Sequence, residues 1–133
     1  ELVLLQYWPG ALVDDGAFHG DIARHIEMLI ERSRQEDLAM VHHLSSHLAE
    51  VHGHIAAAET YLTLMRHSAD GKRVWVGGLR LLDRLEARQE NWRIASRRIV
   101  ADYELEADGS SLLTDDQYLR SRRDREDISY ERV

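Results

Sequence analysis

Cysteine is absent from the 133 residues. Its absence excludes disulfide bonds, thiolate nucleophiles and zinc or iron–sulfur sites that use cysteine ligands. Only histidine and carboxylate side chains remain for any metal. The sequence also lacks an apolar run near the ~20 residues that cross a bilayer, and it has no signal-peptide pattern. We therefore predict a cytoplasmic protein without a membrane partner.

Basic residues are outnumbered, with 17 Lys and Arg against 24 Asp and Glu, and the formal net charge is −7. Nucleic-acid binding requires a basic face, so we expect a small organic partner and no nucleic acid. Nucleotide-binding, serine-hydrolase and zinc-protease motifs do not occur either. The length, with 44% apolar and 31% charged residues, fits one domain.

The distribution of turn signals predicts an α+β domain. Ile22, Ile26, Leu29 and Ile30 recur at helical spacing behind Asp21, a good N-cap, so we predict a helix over residues 21–34. Turn-like segments near 52–54, 68–72 and 88–91 divide residues 38–103 into strand-length stretches of an antiparallel sheet. Before the helix, we predict a helix end over residues 1–8, closed by Pro9-Gly10, and a short strand at 11–14.

The two ends of the chain call for separate expectations. The chain begins at Glu1, without an initiator methionine, inside the apolar segment "ELVLLQYW". We expect further residues to precede it in the complete protein. Residues 109–133 are almost wholly polar, with charges of both signs, and are predicted to form an extension to a domain of residues 1–108.

Five histidines crowd the stretch "VHHLSSHLAEVHGH" at residues 41–54. On a helix, His43 and His47 would lie about 6 Å apart and could share a zinc ion. On a strand they share a face but lie roughly 13 Å apart, too far for a common ion. Because residues 38–66 are predicted as strands, we expect no bound metal. His52 and His54 flank a turn glycine and are expected to be exposed.

Three segments carry a resemblance to a known family: "LLQYWPGALVDDGAFHG", "MVHHLSSHLAEVHGHIAAAETYL" and "GGLRLLDRLEARQENWRIASRRIVADY". Together they resemble the SnoaL-like branch of the nuclear transport factor 2-like superfamily. The most specific parts are the strand from His43 to Leu48 and the hairpin from Asp83 to Asp102. The polar tail is also similar to the arginine- and aspartate-rich ends of many members.

This resemblance implies a cone: a strongly curved antiparallel sheet packed against helices, with a pocket in its mouth. Scytalone dehydratase, hexachlorocyclohexane dehydrochlorinase and ketosteroid isomerase share that fold, as do non-catalytic proteins. It implies a lyase or isomerase that needs no cofactor and acts on a small hydrophobic cyclic molecule. The alternative is a non-catalytic ligand-binding or accessory protein. Members commonly associate through the outer sheet face, which implies a homodimer or homotrimer.

The resemblance also implies a site. Counting back from Leu48 places the general-base histidine at His43, and Arg97 matches an arginine that reaches the cavity to stabilise negative charge. The alternative for Arg97 is a structural ion pair with Asp83 or Asp102. In the family, an aspartate on the first helix orients this histidine. We expect that carboxylate to lie on residues that precede Glu1 in the complete protein; the alternative is that this member is not an enzyme of that kind.

Further residues are candidates for binding a substrate. His47 should face the pocket together with His43, while His42 should point to the opposite face. Tyr61 is a weakly placed hydrogen-bonding candidate. Asp14 and Asp15, in "DDG", offer a possible carboxylate partner near the cone mouth, although their context favours a role in a turn.

Overall fold

Six strands and one α-helix make up most of the part of the chain that the computed structural model describes, which is residues 2–35, 39–68, 70–111, 117–119, 122 and 124–131. The order is a 3₁₀-helix Leu2–Gln6, β1 Tyr7–Asp14, β2 His19–Asp21, α1 Ile22–Gln35, β3 Ala39–His52, β4 Ile55–His67, β5 Arg73–Arg88, β6 Asn91–Asp108 and a 3₁₀-helix Ile128–Tyr130. The helices of this described part are too short or too polar to span a bilayer.

Helix α1 begins where its cap predicts. The Oδ1 atom of Asp21 accepts hydrogen bonds from the backbone N–H groups of Ala23 and Arg24, at 2.8 and 3.4 Å. These bonds satisfy donors that the first helical turn leaves without a partner inside the helix. Ile22 and Ile26, one turn apart, pack into the main apolar cluster. The predicted helix over residues 21–34 is confirmed within one residue.

The strands form one curled, unclosed sheet in the order β2-β1-β6-β5-β4-β3. The predicted turns at 52–54, 68–72 and 88–91 are confirmed as the connections between β3, β4, β5 and β6. The sheet is mixed, however, because β1 pairs in parallel with β6. The predicted α+β cone is therefore confirmed, with one parallel strand pair added to its antiparallel strands.

The chain start differs from its prediction. A helix end closed by Pro9-Gly10 is wrong, because both residues lie inside β1. The register of β1 against β6 shifts between Tyr7 and Leu12, and Gly10 takes a positive φ of 77°. Proline has no N–H to donate to a ladder, so an irregular stretch of strand accommodates it.

The sheet has two different faces. On the helix-side face, α1 and the sheet share one apolar cluster. Its buried members are Tyr7, Ala11, Val13, Ile22 and Ile94. Partly buried residues pack around them: Phe18, Ile26, Leu85 and Ile99. The opposite face is the outer face. Residues that pair across neighbouring strands point to the same face of the sheet. The strand register therefore assigns each of the remaining strand residues to the helix-side face or to the outer face.

The C-terminal extension is described only in part. Strand β6 ends at Asp108, and a single 3₁₀-turn at Ile128–Tyr130 is capped by Asp127. Hydrogen bonds from the backbone of Arg122 and from Ser129 lower the pKa of Asp127 to about 2. Residues 112–116, 120–121, 123 and 132–133 lie outside the described residues. The division into a domain of 1–108 and an extension of 109–133 stays a prediction.

Candidate functional site

A β-bulge in β3 determines which histidines face the helix. His42 pairs with Leu64, His43 with Thr63 and His47 with Thr60, and the register shifts between Leu44 and His47. Leu64 and Thr60 are four residues apart on a regular strand and so share a face, whereas Thr63 lies on the other. The prediction that His43 and His47 share a face is wrong, because the bulge inserts one residue between them.

Leu64 identifies the face. It lines a cleft of about 440 Å³ between the sheet and the C-terminal half of α1, whose Arg32 also lines it. We call this space the helix-side cleft; its lining residues are Asp15, Arg32, Leu64, Arg66, Trp75, Gly77, Leu79, Ala101, Tyr103 and Glu104. His42 and His47 therefore lie on the helix-side face. His43 lies on the outer face, opposite to its expected position.

His42 is the histidine nearest to this cleft in the strand register. Its partner Leu64 forms part of the cleft lining. The His42 side chain is exposed to solvent, but it is sufficiently surrounded by protein that burial lowers the pKa of its imidazole. The neutral form, which can accept a proton, is thereby favoured near neutral pH.

His47 forms a different contact. Its Nδ1 atom lies 2.7 Å from the Oγ1 atom of Thr60, so the two side chains share a hydrogen bond. The β4 partners of His47 and His42, Thr60 and Leu64, are four residues apart, which is about 13 Å of strand. The two imidazole rings are therefore too far apart to ligate one ion. No group of three or more histidine and acidic side chains suited to a metal ion occurs in the described part of the chain.

Arg97 lies on the helix-side face, but its guanidinium binds a carboxylate of the protein. Its Nε and Nη2 atoms each donate to Asp83 at 2.7 Å, and the guanidinium lies 5.4 Å from the ring centre of Tyr7. Burial tends to lower the pKa of Arg97, yet the hydrogen bonds and charge of Asp83 outweigh it and raise that pKa. The structural ion pair, considered as the alternative, is thus present.

Arg97 and the histidines are also well separated. Asp83, the partner of Arg97, is six β5 residues from Gly77, which pairs with Leu64 beside His42. Six residues of strand span about 20 Å. None of Arg97, His42 and His43 lines the helix-side cleft, although His42 pairs with Leu64, which does. The expectation that His43 and Arg97 project into one cavity is therefore wrong, because the two side chains lie on opposite faces of the sheet.

Two of the remaining candidates lie away from the cleft. Tyr61 pairs with Arg80 on the outer face, and a hydrogen bond with Glu59 is the main cause that raises the pKa of its phenol. Asp14 accepts a hydrogen bond from the N–H of Gly16 at 3.0 Å, the turn role that its context favoured. Neither is among the lining residues of the helix-side cleft.

Asp15, one of the two candidate carboxylates of "DDG", forms a carboxylate–imidazole pair with His25, a histidine that the sequence analysis did not single out. The Nε2 atom of His25 is 2.8 Å from the Oδ2 atom of Asp15, and the His25 ring stacks on Phe18. His25 is 4% exposed. The available signal was its position three residues after Ile22, on the apolar face of α1.

The fold is shared with a known family. The family model described as "SnoaL-like domain" matches residues 8–98, which include all six strands in whole or in part. The chain belongs to the SnoaL-like domain family. A search of curated protein sequences gives no significant match.

Solved structures place this SnoaL-like chain among similar cones. A hexachlorocyclohexane dehydrochlorinase, LinA-type3 from Novosphingobium barchaimii, superposes with a TM-score of 0.69 at 12% identity, covering 82% of this chain and 77% of that one. A putative scytalone dehydratase from Novosphingobium aromaticivorans gives 0.66 at 10% identity, with 78% and 71% covered. A Kribbella flavida protein gives 0.67 at 13%, with 79% and 78% covered. At these identities the likeness concerns the fold.

Proposed function

We propose that this SnoaL-like protein is a lyase or isomerase that works without a cofactor on a small, largely apolar cyclic molecule. The helix-side cleft is the proposed substrate site, because its wall carries apolar side chains and an aromatic ring between its charged residues. Leu64, Leu79 and Ala101 supply the apolar part, and Trp75 supplies the ring. Such a lining suits a small hydrophobic ring.

The general base in this proposal is His42. The observation that carries it is the register of β3, which puts His42 beside Leu64 on the helix-side face. Its lowered pKa keeps the imidazole neutral and able to abstract a proton at physiological pH. His43, the position that the family pattern indicated, is the competing assignment, and it requires the substrate to reach the outer face.

Arg97 remains the candidate for stabilising negative charge. The ion pair with Asp83 uses two of its five N–H donors, one on Nε and one on Nη2, and leaves three for a ligand. One small ring cannot contact both His42 and Arg97, because about 20 Å of sheet separates Gly77, beside Leu64 and His42, from Asp83. Arg97 can therefore assist only a reaction at its own end of the sheet.

The proposal is tested by turnover. Hexachlorocyclohexane and scytalone, the compounds named by the two enzyme relatives, serve as probes, with chloride release and loss of substrate as readouts. We expect turnover of a cyclic substrate to be retained at mildly acidic pH, below the usual titration range of histidine near 6.5, because the pKa of His42 is lowered. Its kcat/KM should fall only when the pH drops below that lowered value.

A non-catalytic ligand-binding role is the second candidate. Two observations favour it: Arg97 is engaged by Asp83, and within the described residues no carboxylate hydrogen-bonds to His42. A histidine base is usually oriented by such a partner. Saturable binding of cyclic compounds to the helix-side cleft, with none of the bound compounds turned over, would support this role and contradict the enzyme.

We also infer that the protein self-associates through the outer face as a dimer or trimer. Large apolar side chains on this face are exposed, among them Leu12 at 49%, Val41 at 47% and Leu48 at 69%. Exposed apolar surface on one face is typical of an interface. Sedimentation equilibrium should show an oligomer that Leu48→Glu weakens, because the charge would be desolvated. A wild-type monomer at all concentrations would contradict the inference.

A further inference from the structure

Asp15 and His25 form a pair at one end of the helix-side cleft. Asp15 belongs to the cleft lining, and His25 holds it from behind through the 2.8 Å contact between Nε2 and Oδ2. The side chain of His25 is 6% exposed and that of Asp15 is 25% exposed. Asp15 is therefore accessible to a ligand, whereas His25 is not.

The hydrogen bonds of Asp15 leave room for one more donor. Its Oδ1 atom accepts from the N–H groups of Ala17 and Phe18, at 3.0 and 2.6 Å, and Oδ2 contacts His25. A carboxylate has about four acceptor positions, so these three contacts leave one, on Oδ2. Burial tends to raise the pKa of Asp15, but the bonds from Phe18 and His25 outweigh it and lower that pKa.

The other charged groups of the cleft have partners of their own. Arg66 donates to Glu104 at 2.7 Å and lies over the ring of Trp75. Arg32 has an interaction of its own. Between these charged groups the wall is formed by Leu64, Leu79, Ala101 and the ring of Trp75. A ligand that matches this arrangement has an apolar ring and one hydrogen-bond donor directed at Asp15.

We propose that Asp15 anchors the ligand of the helix-side cleft by accepting a hydrogen bond from a hydroxyl or amine group on a small apolar ring. His25 is a positioning residue that fixes the direction of the carboxylate. This inference rests on the proposed use of the cleft as a substrate site. It adds the substrate class, a ring compound that carries a donor, and it does not depend on whether His42 is the base.

The probes are 2-naphthol and naphthalene, which differ by one hydroxyl group. Binding to the full chain is measured by NMR titration. Wild-type protein should bind 2-naphthol more tightly than naphthalene. Asp15→Asn should weaken the binding of 2-naphthol about 10-fold or more and leave the binding of naphthalene unchanged, as expected for the loss of a hydrogen bond to a charged group. In Asp15→Asn, the side-chain oxygen is expected to keep the hydrogen bonds from the N–H groups of Ala17 and Phe18. The amide NH₂ group then occupies the Oδ2 position, where it cannot accept a hydrogen bond from the ligand.

Matched variants separate anchoring from folding. Asp70→Asn makes the same chemical change in another turn, where Asp70 accepts from Ser68 and Lys72, and should leave both probes unaffected. His25→Gln retains an N–H donor and should keep the preference for 2-naphthol, whereas His25→Leu should lose it. Circular dichroism checks that each variant is folded.

The results that would overturn the inference are clear. Wild-type protein that binds neither probe, or both equally, contradicts it, and so does an Asp15→Asn variant with an unchanged preference. Equal effects of His25→Gln and His25→Leu would limit His25 to packing. If the preference depends on Asp15 but no substrate is turned over, the enzyme proposal fails and the anchoring role stands. If a substrate is turned over equally well by wild-type protein and by Asp15→Asn, the enzyme proposal stands and the anchoring role fails.

Discussion

Replacing His42 by alanine is expected to lower turnover by about 10² to 10⁴-fold, the usual contribution of a general base. The physical reason is the bulge in β3, which places His42 beside Leu64 of the helix-side cleft. His43→Ala should retain most activity, because that ring points to the outer face. Both variants should stay folded, since both side chains are exposed.

The measurement is kcat and KM on a compound that wild-type protein turns over, with the melting temperature of each variant as the folding check. His54→Ala, in the β3–β4 turn, controls for the loss of any imidazole. A large loss in His43→Ala with full activity in His42→Ala would restore the assignment from the family pattern. Full activity in both would remove the histidine mechanism and favour the binding protein.

Replacing Asp83 by asparagine is expected to lower the free energy of unfolding by about 3 kcal/mol, because it leaves a largely buried cation without its counter-charge. The side chains of Arg97 and Asp83 are only 19% and 8% exposed. The same pair joins β6 to β5 and holds the guanidinium over Tyr7 of β1. Its loss should therefore weaken the packing of β1 against the sheet.

Urea unfolding of the variant and the wild type measures this difference. The matched control is Asp124→Asn, which breaks an ion pair with Arg122 whose side chains are 55% and 52% exposed. Exposed pairs contribute about 0–1 kcal/mol, so this control should unfold almost as the wild type does. Equal, small effects in both variants would show that Arg97 needs no counter-charge, and would strengthen its candidacy for binding a ligand.

Local signals in the sequence were sufficient for the elements from α1 to β6. Asp21 and the spacing of Ile22 and Ile26 marked α1, because capping and helical periodicity act within a few residues. The turns near residues 52–54 and 88–91 were equally visible. The start of the chain was misjudged, because pairing with β6, more than 80 residues away, makes residues 7–10 a strand despite Pro9 and Gly10.

The sequence by itself determined the family and the order of the elements from α1 to β6, and it left histidine and carboxylate side chains as the candidate reactive groups. Only the tertiary structure decided which of these groups meet. One extra residue in the bulge of β3 reverses the faces of His42 and His43, and alternation along a strand cannot reveal it. The contact of Asp15 with His25 likewise arises because the β1–β2 turn, residues 15–18, lies against α1. Side-chain direction in a curled sheet depends on register, and register is a property of the paired strands.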